Sequence, residues 1–136
     1  MEPFDDRLAD DIRAALEIPG VVSAVVFVRT DDAASLRLAA AAGIEGEPLR
    51  RLSAAVLSPA HPIAQTLADA TASFDVLPTA PGGPVFRSHL PILVERDGRI
   101  VSACAGVLAV AHDPPLDAES RAALAEIARR VARSLA

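Results

Sequence analysis

The chain has 136 residues, of which 51% are hydrophobic and 23% charged, and its formal net charge is −5; this is a globular composition sufficient for one domain with a proper core and too short for two. All thirteen basic residues are Arg, and only Arg50-Arg51 and Arg129-Arg130 are adjacent, which argues against a nucleic-acid face. No apolar run approaches the about twenty residues that span a bilayer, the start MEPFDDRLADD is acidic where a signal peptide is basic, and the single Cys excludes an intrachain disulfide; a cytoplasmic protein is the expectation.

Asp5 or Asp6 can cap a first helix with Leu8, Ile12 and Ala15/Leu16 on one face, ended by Ile18-Pro19-Gly20. Val21 to Arg29 is β-branched and apolar, as in a central strand. Asp31-Asp32-Ala33-Ala34 turns the chain into a second strand, Leu36 to Ala42, stopped by Gly43. Residues 44–58 read as irregular or weakly helical, with Leu49, Leu52 and Val56 at helical spacing. His61-Pro62 starts a short helix with Ile63, Leu67 and Ala70 on its apolar side, since Pro suits the first helical position. Ser73 to Leu77 is a short third strand, and residues 78–84 form a Pro- and Gly-rich loop. Asp117 caps a final helix striped by Leu124, Ile127, Ala128, Val131 and Leu135.

Between loop and final helix lies SHLPILVERDGRIVSACAGVLAV, residues 88–110, two apolar runs joined by Asp97-Gly98, a strong hairpin signal. A two-residue loop there pairs Arg96 with Arg99, and a regular ladder then sets Val94 against Val101, Ile92 against Ala103 and Leu90 against Ala105. One face would carry Leu90, Ile92, Val94, Val101, Ala103, Ala105, Val107 and Ala109, under helices. The other would carry His89, Pro91, Leu93, Ser102, Cys104, Gly106, Leu108 and Val110, with His89 opposite Gly106. In the first strand Val22, Ala24, Val26 and Val28 alternate with Ser23, Val25 and Phe27. A single bulge would invert the hairpin assignment.

The order helix, two strands, helix, strand, hairpin, helix makes an α+β domain with an antiparallel sheet. With Ile18-Pro19-Gly20-Val21, Ala42-Gly43-Ile44, His61-Pro62-Ile63-Ala64, Ser88-His89-Leu90-Pro91-Ile92 and Gly106-Val107-Leu108 at their spacing, the chain resembles the GAF domain family over nearly its whole length. The resemblance implies a single GAF-like domain over 1–136, with a GAF/PAS-like antiparallel sheet of five to six strands. The N- and C-terminal helices would lie on one face and a ligand pocket on the other. The roadblock-type fold is a near neighbour, disfavoured by the long 43–61 segment and the 78–84 loop.

The polar-dotted face is the pocket candidate, covered by residues 49–61 and the 78–86 loop: a mostly apolar cavity with a few convergent polar groups. Its candidate ligand contacts are His89 first, then His61 and Arg87 at the rim, with Phe27, Phe74, Ser102 and Cys104. Each has a plainer reading: His89 a half-buried histidine bonded to backbone, His61 a neighbour of the Pro62 helix start, the Phe residues core. Cys104, between Ala103 and Ala105, has the surroundings of a structural thiol. His112, at a strand end beside Asp113, is expected in solvent.

Among activities known for the family, cyclic-nucleotide binding is disfavoured because the typical Asn-Lys-Phe-Asp-Glu set needs Asn and Lys, and the chain has neither. Bilin attachment uses a Cys followed by His, whereas Cys104 precedes Ala105. Methionine sulfoxide reduction needs a second Cys. Haem needs one axial histidine, which leaves His61 or His89 as an option. No Ser-His-Asp order, phosphate loop or metal-spaced His pair stands out. The resulting expectation is a sensory or regulatory domain, not an enzyme, that binds an unidentified small molecule. It would act through a partner or a homodimer formed by helices bearing Leu8, Ile12, Leu124 and Val131. A ligand-free dimerisation or docking module on a GAF or roadblock-like scaffold is the second reading, and an enzyme of this fold the third.

Overall fold

Leu8, Ile12 and Ala15 recur at one-turn intervals, and all three are fully buried along helix α1 (Pro3–Arg13) and the 3-10 turn Ala14–Glu17 that extends it. The computed structural model describes residues 3–30, 36–77, 86–97, 99–100 and 105–135. Strands β1 (Val21–Arg29) and β2 (Leu36–Ala42) follow, then helices α2 (Gly46–Ala55) and α3 (Pro62–Asp69) and strand β3 (Ser73–Val76). The chain continues through β4 (Phe86–Ile92), the two-residue strands β5 (Glu95–Arg96) and β6 (Arg99–Ile100), β7 (Gly106–His112) and α4 (Ala118–Leu135). Asp117 caps α4 as expected, its Oδ1 accepting the Ser120 N–H at 2.7 Å. Ala70 does not extend the α3 stripe: it is exposed, and at φ 53° it closes the helix with its N–H on the Thr66 carbonyl.

Among the described residues the main sheet has five strands in the order β2-β1-β7-β4-β3, every neighbouring pair antiparallel. Helices α1 and α4 cover one face, where Leu8, Ile12, Leu124 and Val131 pack on Ala24, Val26, Leu90, Ile92, Leu108 and Val110. The other face presents Val25, Phe27, Val107 and Ala109 to Leu52 and Val56 at α2 and Ile63 of α3. Each such large side chain contributes about 1.5–3 kcal/mol by leaving water. Leu8, Ile12, Leu124 and Val131 are each 0% exposed within one chain, so a second copy docking on the helices that bear them would meet other side chains of those helices. No helix among the described residues is long and apolar enough to cross a membrane.

The hairpin tip pairs Arg96 with Arg99 as the Asp97-Gly98 turn requires, but the ladder beyond it differs from the regular one. From the tip pair Glu95–Ile100 to the sheet pair Ile92–Gly106, one strand advances three residues and the other six. The odd excess reverses the parity of β7: Leu90 opposes Leu108, Pro91 opposes Val107 in place of Cys104, and His89 opposes Ala109 in place of Gly106. Gly106, Leu108 and Val110 therefore lie on the helix face. Gly106 is needed at the strand start because a Cβ there would collide with the Phe27 carbonyl oxygen.

His112 also departs from expectation. It is 0% exposed and stacks on Phe86 with ring centroids 6.1 Å apart. Its Nδ1–H donates to the Pro114 carbonyl at 2.9 Å, so in the neutral ring Nε2 accepts the Ser88 hydroxyl at 2.8 Å. Ser88 Oγ in turn accepts the Asp75 N–H at 3.1 Å, and the Asp75 carboxylate takes the Leu116 N–H at 2.9 Å and Arg121 at 2.6 Å. Burial pushes the Asp75 carboxyl up, but Leu116, Arg121 and His112 together hold it below the usual carboxylate range. The fold thus brings a Ser, a His and an Asp together, yet Ser88 and His112 are sealed from solvent and the ring's Nδ1 is held by a backbone carbonyl. Their effect is to tie β3, β4 and β7 to the start of α4. Ser88→Ala leaves buried groups on His112 and Asp75 unpaired and is expected to cost about 1–3 kcal/mol in urea denaturation; an unchanged midpoint would remove the network's structural role.

Candidate functional site

The cleft sits between α2, α3 and the β3–β4 edge. Its volume is about 460 Å³, within the range of small-molecule sites. Pro48, Arg51, Leu52 and Ala55 line it from α2, His61 and Pro62 from the α3 start, Val76 and Leu77 from the β3 end, and Arg87 and His89 from β4. Residues of β4 alternate: Ser88, Leu90 and Ile92 point into the helix-side core or its network, and Arg87 and His89 face the cleft.

His61 is placed by its helix. It is the N-cap of α3, and its Nδ1 accepts the Ile63 N–H at 3.1 Å, ahead of Pro62 at the first helical position. An accepting nitrogen carries no proton, so in the neutral ring Nε2–H is the donor that remains. Burial, reinforced by the Arg87 guanidinium, holds its pKa below the ordinary histidine value.

His89 is the unusual group. It is 1% exposed, and neither ring nitrogen has a hydrogen-bond partner among the described residues. Burial first, then the neighbouring His61 and Arg87, push its pKa down to about 4. At neutral pH it is an uncharged ring with one unused donor and one unused acceptor. The buried Arg87 Nε beside it likewise lacks a partner among the described residues. Buried polar groups are ordinarily paired, and each unpaired one costs about 1–3 kcal/mol.

Three expected site residues, His89, His61 and Arg87, therefore meet in one cleft. Phe27 does not line it; it is fully buried among the apolar side chains under α2 and α3. Phe74 is on the other side of the sheet edge, packed with the helix-side core and beneath Arg121, whose guanidinium is 4.5 Å from the ring centroid. The cause is Asp75, whose φ of +57° breaks the strand alternation so that Phe74 and Val76 face opposite ways. Ser102 and Cys104 lie outside the described residues. Arg51 was absent from the sequence-based set, in which residues 44–58 read as irregular or weakly helical; the regular helix α2 carries it to the cleft.

No family model and no curated protein sequence matches the chain. Solved structures do match by shape. The GAF domain/HD domain protein from Geobacter sulfurreducens aligns with TM-score 0.73 at 14% identity, over 97% of this chain and 91% of that one. The second GAF domain of DevS from Mycobacterium smegmatis aligns with TM-score 0.68 at 23% identity, over 96% and 91%. A segment of a methyl-accepting chemotaxis protein aligns with TM-score 0.66 at 16% identity, over 97% and 88%. The chain has the GAF-domain fold.

His89 makes stability depend on pH. Its folded pKa of about 4 lies below the unfolded value near 6.5, so between these values the unfolded chain binds a proton the folded one excludes. Stability is expected to fall as pH drops from about 6.5 to about 4, by about 3 kcal/mol in all, with His61 adding in the same direction. His89→Leu should flatten that slope and raise stability at pH 7 by about 1 kcal/mol or more. Urea denaturation of both proteins across this range checks it; equal slopes would mean that His89 is solvated or paired.

Proposed function

We propose that this chain is a sensory or regulatory module that binds a small molecule in the cleft between α2, α3 and β4 and acts through a partner or a second copy. The observation that carries the reading is His89, buried on the cleft wall with neither ring nitrogen partnered among the described residues. A closed structural core would pair or replace such a group; a binding site keeps it for a ligand. The apolar lining of Leu52, Ala55, Val76 and Leu77 supplies contact area, and the few polar groups supply orientation. The chemotaxis protein among the fold neighbours supports a signalling setting.

Thermal-shift screening of the whole chain against a broad small-molecule library tests the proposal. A ligand present at about 100 times its Kd adds about 2.7 kcal/mol of stability when it binds the folded state alone. The expected result is a hit whose stabilisation disappears in His89→Leu, a variant expected to be at least as stable as the parent chain. A library without hits, or hits that stabilise His89→Leu equally, would favour a ligand-free docking module.

A further inference from the structure

We infer that the cleft takes a small monocarboxylate, its carboxylate held by Arg87 and the imidazole N–H groups of His61 and His89 and its apolar body against Leu52, Pro62 and Val76. The inference rests on the reading of the cleft as a ligand site and adds the chemistry of the ligand. It follows from an inventory of donors and acceptors. Among the described lining side chains there is no carboxylate, hydroxyl or amide. Arg51 and Arg87 only donate. His61 has its Nδ1 occupied by the Ile63 N–H and offers the cleft a donor. His89 offers one donor and one acceptor. These groups offer several donors and a single acceptor, the second ring nitrogen of His89, so a ligand rich in acceptors suits them, and a guanidinium matches the two oxygens of a carboxylate.

Charge balance selects one negative charge. Arg51 is largely exposed and already lies 3.4 Å from Glu47, so solvent and its own partner screen it. Arg87 is the partly buried cation, with its Nε buried and unpartnered among the described residues. One buried cation compensates one anionic charge, whereas a phosphate dianion would leave charge uncompensated beside an apolar wall. Among the described lining residues a cationic ligand would face two arginines and no acid.

Four single-ring probes of similar shape separate these cases: benzoate, the neutral benzamide, the dianionic phenyl phosphate and the cationic benzamidine. Each is titrated into the isotopically labelled chain at millimolar concentration and followed through the backbone amide resonances of the cleft residues. Benzoate is expected to shift Leu52, Ile63, Arg87 and His89 with a Kd at least about tenfold below those of the other three. Arg87→Gln should weaken benzoate by at least about tenfold and leave benzamide unchanged, with Arg87→Lys intermediate; the amide spectrum itself reports whether each variant is folded. Benzamide, phenyl phosphate or benzamidine binding the cleft as tightly as benzoate would overturn the monocarboxylate inference and leave the cleft a ligand site. None of the four shifting the cleft resonances would also overturn it, and the library screen then decides separately whether the cleft takes any ligand.

Discussion

Pairing of β4 with β7, from Phe86 opposite His112 to Ile92 opposite Gly106, decides what each face of the sheet presents. With this register Leu90, Ile92, Leu108 and Val110 come together under α1 and α4, and the same alternation turns Arg87 and His89 outward to α2 and α3. A slip of β4 by one residue would turn Arg87 and His89 toward α4 and Leu90 and Ile92 toward the cleft side. The close approach of β1 to β7 at Gly106 helps hold the register, because only a residue without a Cβ fits over the Phe27 carbonyl. The network of Ser88, His112, Asp75 and Arg121 holds the far edge, fastening β3 to the segment that leads into α4.

The two faces differ in how completely they are satisfied. On the helix side the buried polar groups Ser88 and His112 are hydrogen-bonded in an aliphatic core, and the one buried polar atom without a partner there among the described residues is the Nε of Arg121, whose guanidinium is held by Asp75 through another nitrogen. On the cleft side a histidine and the Nε of an arginine are removed from water without partners among the described residues. An unpaired buried imidazole works against folding, and an aliphatic side chain in its place would be easier to accommodate. Such a local conflict, in an otherwise consistent core, supports the proposed reading of the cleft as a binding site. Asp75 lies next to Val76 at the cleft and also holds Arg121 of α4, so cleft and terminal helix share one strand.

Much of the fold was legible because its signals are local. Val21–Arg29 and Leu36–Ala42 have the composition and stops of strands, His61-Pro62 is a helix start, and Asp117 is a cap. The cleft was legible in part: strand parity puts Arg87 and His89 on one face of β4, and the family resemblance put His61 at the rim. What failed was long-range. Gly106-Val107-Leu108-Ala109-Val110 is apolar on both parities, so its pattern cannot choose a register, and the tip turn fixes only the pairs next to it. Phe74 depended on an Asp in the left-handed region, and His112 on a pairing with Ser88, 24 residues away.

The protonation of His89 tests most directly whether the cleft wall holds a desolvated, unpartnered imidazole. Long-range proton–nitrogen spectra of the three histidine rings, recorded from pH 3.5 to 8, give the pKa and the tautomer of each. The expected result is a neutral His89 ring at pH 7 that protonates only near about 4, beside a His61 ring with its proton on Nε2. A His89 ring that titrates near 6.5, as in solvent, would contradict the account.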